Sequence, residues 1–309
     1  MGAREFATPP DLAALTYMVA AWAATGILPR RAIPALAETL ASLTLGWQAR
    51  QSRQTEAEIE RRLGTLAEPD TAELIFRRHL VHRHEHVLGR VLDSHRQRWQ
   101  PVIELVGLEH LEKARSHGRG TLLWGMSFCG PVIPKMALHR AGVELTHLST
   151  PWHGGFSRSW VALNLLNRWA VAVESRYLAD RVIIPSDDSR DYLDRLESCL
   201  RNRGCVSIRG ENRGRKSVTV RVLDETISIA AGAPSLARTT GAALLTVTSH
   251  RVAPLSYRVT LGPSIELPEE KGRVAAEEAC HQFASRLEEA IRAHPADWER
   301  WSVPATFPW

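Results

Sequence analysis

Beyond Gly118 the chain alternates short apolar runs with helical patterns, and this alternation narrows the possible folds more than any other feature. Runs at 121–127, 143–148, 171–174, 205–208, 218–223, 226–229, 243–252 and 257–261 read as strands. Helical spacing occupies 132–140, 160–168, 189–201 and 234–240. Parallel strands need crossover connections, and the intervening helices supply them. The expectation is therefore an α/β fold: a mixed, mostly parallel sheet of about seven strands flanked by helices. Segment 218–229 reads as an antiparallel excursion turning at Asp224 and Glu225. A helix over 275–293 follows, and the end is aromatic, with Trp298, Trp301, Phe307 and Trp309.

The first 115 residues read as an N-terminal helical region packed on a 116–309 core, one domain overall. Residues 33–45 are apolar at helical spacing, and 56–66 reads as a polar connector. Pro69, Asp70 and Thr71 signal a helix start. In the helix that follows, Leu80, His84, Val87 and Val91 share one face. Residues 12–28 carry no charge and precede Arg30 and Arg31. Their length is at the lower edge for a membrane span, so a buried or interfacial helix is expected, with a single anchor as the alternative.

The chain has 309 residues and a formal charge of +5. Its cations are mostly arginine, which suits phosphate-bearing partners and anionic membrane surfaces. No nucleic-acid-binding motif accompanies the charge. The four cysteines, Cys129, Cys199, Cys205 and Cys280, form no CxxC pair, which fits free thiols in a reducing cytosol. His82, His84 and His86 suggest a metal cluster at first sight. On a helix only His82 and His86 share a face, and the sequence shows no further ligand, so no metal and no cofactor are expected.

The segment "WGMSFCGPV", residues 124–132, marks where a buried strand turns into a helix. Around it, "VGLEHLEKARSHGRGTLLW", "IIPSDDSRDYLDRLESCLRNRGCVSI", "GENRGRKSVTVRVLDETISIAAGAPSLARTTGAALLTV" and "HPADWERW" occur in a fixed order. In order and spacing they resemble the bacterial lipid A late acyltransferases, within the lysophospholipid and glycerol-phosphate acyltransferase superfamily. The resemblance implies an acyl thioester donor, on acyl carrier protein or coenzyme A, and a lipid acceptor. It also implies an H-x-x-x-x-D/E dyad at the end of the first core strand, in which the histidine takes the acceptor proton and the acid orients it. Here Ser127 occupies the histidine position and Val132 the acid position. The pairs His139/Glu144 and His294/Glu299 have the same spacing but lie elsewhere in the pattern.

Chemistry here therefore comes from positioning alone, with Cys129 a small buried residue and Ser127 a polar filler, or from replacement groups. Cys129 sits before a helix start, where the dipole favours a thiolate. Ser127 is beside it. His153 follows the second core strand, where a base could be relocated, and Glu211 is the best-placed carboxylate. Arg209 and Arg213 are expected to hold a phosphate or phosphopantetheine, and backbone N–H groups near Gly130 to face an oxyanion. The function expected is acyl transfer without the dyad, to a lipid or a hydrophobic amine or alcohol. Its place would be the cytoplasmic face of the inner membrane, peripheral or with a single N-terminal anchor. The alternative is a disarmed homologue that binds acyl ligands, acyl carrier protein or a partner enzyme.

Overall fold

The computed structural model describes residues 5–47, 49–64, 71–95, 99–152, 156–185, 189–211, 214, 216–268 and 273–301. Helix α1 (Pro9–Ile27) starts at Thr8 through a reciprocal capping box with Asp11. Asp11 also accepts hydrogen bonds from the hydroxyls of Ser157 (2.6 Å) and Ser159 (2.7 Å), tying α1 to a distant loop. Burial opposes its charge, but these hydroxyls and Thr8 hold the carboxyl down at about 2. Ala14 and Ala21 face inward, while Leu12, Val19, Trp22 and Ile27 are exposed. Among the described residues no helix is long and apolar enough to cross a membrane.

Helices α2 (Ile33–Trp47) and α3 (Ala49–Leu63) follow. The expected connector at 56–66 is thus mostly helix. Its Glu and Arg residues are good helix formers, and Ser52, Thr55, Ile59 and Leu63 of α3 form a buried stripe. Helix α4 (Ala72–Ser94) starts where the sequence placed it, with the Thr71 hydroxyl accepting from the Leu74 N–H at 3.2 Å. Leu80, His84, Val87 and Val91 are all buried. Gly89 lets Trp99 lie against the α4 backbone: a Cβ there would stand 2.2 Å from the indole.

The sheet is built from β1 (Val102–Val106), α5 (Leu108–Ser116), β2 (Thr121–Gly125), α6 (Ile133–Arg140), β3 (Leu145–Ser149), α7 (Asn167–Ser175), β4 (Asp180–Ile183), α8 (Asp191–Arg201) and β5 (Cys205–Arg209). The hairpin β6 (Ser217–Val222) and β7 (Glu225–Ala230) stands apart from it. Then come α9 (Gly232–Thr240), β8 (Ala243–Ala253), β9 (Ser256–Ser264) and α10 (Arg273–Ala293). Seven strands pair in the order β1-β9-β8-β2-β5-β3-β4, and every neighbouring pair is parallel except β8 with β9. This is the expected mixed, mostly parallel sheet with helical flanks.

Three further assignments change. Residues 171–174 belong to α7, continuous with a π-helical turn at Ala162–Leu166, and the strand comes later as β4. A short apolar run fits helix and strand alike, and here Ala170, Val173 and Glu174 bury one helical face. Strand β1 was read as part of the helical region; it is an edge strand alternating between exposed and half-buried residues. The hairpin turn sits one residue early, at Leu223 and Asp224, which take φ values of 52° and 60°.

Strand β2 pairs with β8 and β5 along its two edges, and Thr121, Leu122, Leu123 and Trp124 are all buried, so both of its faces are covered. That placement is why its sequence is a continuous apolar run. Trp124 is fully buried, 4.3 Å from the Phe283 ring of α10. The carboxyl ends of β2 and β5 therefore present their loops side by side, and the Gly210 N–H donates to the Gly125 carbonyl at 2.8 Å.

Candidate active site

Ser127 stands two residues beyond β2 and is 2% exposed. Every polar group it has is engaged. Its N–H donates to the Glu211 carboxylate, its hydroxyl accepts from Arg209 Nε at 3.0 Å, and its carbonyl accepts from the Glu299 N–H at 2.8 Å. Phe128 forms an antiparallel bridge with Trp298. The C-terminal segment thus closes over the β2 turn.

The loop after β5 completes the arrangement. Arg209 uses its other arm to hold Glu299. Glu211 is buried, and both carboxylate oxygens are occupied: one by Ser127, the other by Trp298 Nε1 at 3.1 Å. Its carbonyl accepts from Arg300. Ser127 and Arg209, expected with His153 at one sheet edge, are in direct contact, and Glu211 joins them through the Ser127 N–H. His153 with its glycine neighbours, Arg213, Asp187 and Asp188 of the "IPSDD" segment, and Phe307 and Trp309 lie outside the described residues.

Cys129 is 4% exposed. Burial, followed by the negative charges of Asp297, Glu299 and Glu85, pushes its thiol well above the ordinary range. This is the reverse of what an approaching helix start alone would do. Gly130 adopts φ +69° against His86: a Cβ there would stand 2.8 Å from His86 Nδ1.

Several residues facing this turn escaped the sequence reading. Helix α4 carries Arg83, His86 and Arg90 at spacings of three and four, so they share one side. Burial lowers the Arg83 and Arg90 guanidinium values, with Glu299 opposing the shift at both and Glu174 at Arg90. Arg90 lies over the Trp169 ring, 4.9 Å from its centroid. His86 is buried, and neither ring nitrogen has a partner among the described residues. Burial and Arg90 hold it well below its ordinary value, so it is neutral at pH 7. Across from α4, the Glu174 carboxylate takes both Lys135 and Arg181. Burial brings Lys135 down to about 8 despite that partner. The clue in the sequence was "RHEHVLGR", but the direction in which this stripe faces depends on how α4 docks.

By contrast His84 is a satisfied core residue, bonded to the Tyr17 hydroxyl (2.9 Å) and the Thr44 hydroxyl (3.3 Å). Glu85 anchors α4 to the sheet: it takes Arg251 at 2.9 and 3.0 Å and the Tyr257 hydroxyl at 2.9 Å.

The model of the bacterial lipid A biosynthesis acyltransferase family matches residues 5–301, nearly the whole chain and every element around this turn. The chain belongs to this family. Among solved structures it is similar to the 1-acyl-sn-glycerophosphate acyltransferase PlsC from Thermotoga maritima, at 11% identity and a TM-score of 0.37. That match covers 84% of this chain and 98% of the other. No curated protein sequence matches. The family is one of acyltransferases.

Proposed function

We propose that this lipid A acyltransferase family member moves an acyl group from a thioester donor, acyl carrier protein or acyl-coenzyme A, to a lipid or other hydrophobic amine or alcohol. It does so without the histidine–carboxylate dyad, at the cytoplasmic face of the inner membrane. The observation that carries this reading is the contact of buried Ser127 with half-buried Arg209 and Glu299 at the β2 turn, with Arg83 and Arg90 facing the same place.

The arginines supply positive charge where a tetrahedral oxyanion forms, and low polarity strengthens that attraction. An acceptor amine attacks the thioester carbon, the C–S bond breaks, and the thiolate leaves. The proton that the amine nitrogen sheds passes through neutral His86 to the departing thiolate, so no imidazolium is left beside Arg90. An amine needs less help from a base than an alcohol, which suits a site with serine in the histidine position. Glu211 acts as a positioning residue, since both of its oxygens are taken by structural donors. Exposed Leu12, Val19, Trp22, Ile27, Leu43 and Trp47, close in sequence to Arg30 and Arg31, support a peripheral membrane contact.

A second reading, a disarmed homologue that binds acyl ligands, acyl carrier protein or a partner enzyme, draws support from the protonated Cys129 and the fully occupied Glu211. The deciding experiment incubates purified protein with acyl-coenzyme A or acyl carrier protein and long-chain amines or alcohols, with product detected by mass spectrometry. Turnover by the wild type that is lost in His86→Ala supports the transferase. No turnover, together with a melting temperature raised by acyl donors, supports the second reading. Transfer that appears only in Ser127→His with Val132→Glu would show a cleft that still accepts both substrates but has lost its base.

A further inference from the structure

We propose that His82, Cys129 and Asp297 form a buried Zn2+ site. The inference is independent of the acyl-transfer reading. Spacing along the chain offers no reason to expect a metal, because His82, His84 and His86 all sit on α4 itself. The three ligands come instead from α4, from the turn after β2, and from the 3-10 turn Pro295–Asp297. Only the closure of the C-terminal segment over the sheet edge brings them together.

One ligand atom from each residue lies within 4.8 Å of the other two, and all three residues are buried. His82 Nδ1 and Asp297 Oδ1 are 2.8 Å apart. Around a tetrahedral zinc, with bonds of about 2.0–2.3 Å, such atoms stand roughly 3.3–3.7 Å apart. The imidazole and carboxylate would separate slightly, and the sulfur would close by on the order of 1 Å. A sulfur, an imidazole nitrogen and a single carboxylate oxygen suit Zn2+ and disfavour Mg2+ or Ca2+, which prefer all-oxygen shells.

Charge favours the same ion. On binding, the Cys129 S–H bond breaks, its proton leaves to solvent, and the sulfur lone pair goes to the metal. Zn2+ with one thiolate, one carboxylate and one neutral imidazole is a neutral cluster, as a buried location requires. Of the nearby cations, Arg251 is already matched by Glu85, and Arg83 interacts with Glu299 as well as with Cys129. Outer contacts fix the ligands in place: the Arg251 N–H donates to Asp297 Oδ1 at 3.2 Å, and the Ser249 hydroxyl donates to the Cys129 carbonyl at 2.7 Å. Three protein ligands leave a fourth position for water or a substrate oxygen.

The test uses the full chain without a histidine tag. After dialysis against Zn2+ and removal of excess, elemental analysis should find about one zinc per chain. Co2+ in its place should give a thiolate-to-cobalt charge-transfer band in the near ultraviolet. Cys129→Ser should abolish that band, and Asp297→Asn should weaken binding roughly tenfold or more, whereas exposed His281→Ala should leave both unchanged. Circular dichroism shows whether each variant is folded. The Co2+ band of the wild type keeps the proposal testable even if a variant misfolds. Wild type without stoichiometric zinc would overturn the site, leaving a His82–Asp297 ion pair beside a thiol. So would Co2+ bound with no thiolate band, or equal affinity in Cys129→Ser. No acyl donor is present, so the result is separate from the success or failure of acyl transfer.

Discussion

Arg209 Nε donates to the Ser127 hydroxyl across 3.0 Å, and the other arm of the same guanidinium holds Glu299. One side chain from the end of β5 therefore joins the β2 turn to the C-terminal segment. Arg209→Ala should lower acyl transfer by about tenfold or more, since a charge-assisted hydrogen bond contributes about 1.5–3 kcal/mol. Arg209→Lys should not restore the rate, because an ammonium lacks the two-armed geometry. Steady-state kinetics on the two variants checks both points; a lysine variant at wild-type rate would remove the two-armed role.

Glu211 accepts from the Ser127 N–H and the Trp298 indole in a buried setting. Glu211→Gln places an amide donor against one of those donors, and the unfolding free energy should fall by about 1–3 kcal/mol. Denaturant unfolding measures the loss. An unchanged midpoint would mean that the turn and the tail are not held by this carboxylate.

Thiol reactivity separates the cysteines. Cys129 is pushed well up, and Cys205 and Cys280 are raised to about 12, each chiefly by burial, while Cys199 is half-buried. Iodoacetamide at pH 7.5 should label Cys199 first in the native protein, with Cys129 reacting only on unfolding. Incubation with an acyl thioester should leave no acyl mass on Cys129. Peptide mapping that finds rapid labelling or acylation there would restore it as a nucleophile.

Burial holds His79 and His84 down at about 3, with the charge of Arg83 adding to the effect at each. In the unfolded chain each titrates near 6.5, so between those values the unfolded state binds more protons than the folded state. Their contribution to stability is therefore present above about pH 6.5 and is lost as pH falls toward 3, at about 1.4 kcal/mol per pH unit for each. Chemical denaturation from pH 7 to 4.5 should show this slope, and His84→Gln should flatten it by one proton. A slope unaffected by the substitution would place the acid sensitivity elsewhere.

Ile27 is 84% exposed and Trp47 92% exposed, on the helices that flank Arg30 and Arg31. Replacing both with Ser should weaken sedimentation with anionic vesicles without altering the melting temperature, because neither side chain is packed. Added salt should weaken wild-type binding as well. Equal sedimentation of the double variant would remove this face from membrane contact.

The outline of the site was legible early because a parallel sheet brings the carboxyl ends of its strands to one edge. Ser127 follows β2 and Arg209 closes β5, so identifying those strands was enough to expect these two at one edge, whereas the contact with Glu211 emerged only from the fold. The continuous apolar β2 run and the Thr71 cap were equally readable, since each depends on near neighbours in the chain. The segments that failed are those where local pattern is ambiguous. Residues 171–174 fit a strand by composition but bury a helical face, and the alternation of β1 shows only once β9 lies beside it.

Local pattern along the chain carried the α/β architecture, the family and the loops that end at one edge of the sheet. What crosses that edge follows from the packing of distant segments. The return of Trp298 and Glu299 to the Ser127 turn, the stripe of Arg83, His86 and Arg90 facing it, and the meeting of His82, Cys129 and Asp297 all join residues far apart in the chain. Periodicity reports which face of an element is apolar. It carries no information about which polar groups will oppose one another once helix α4 and the C-terminal segment pack over the sheet, because that choice is made by shape, charge and hydrogen bonding between elements.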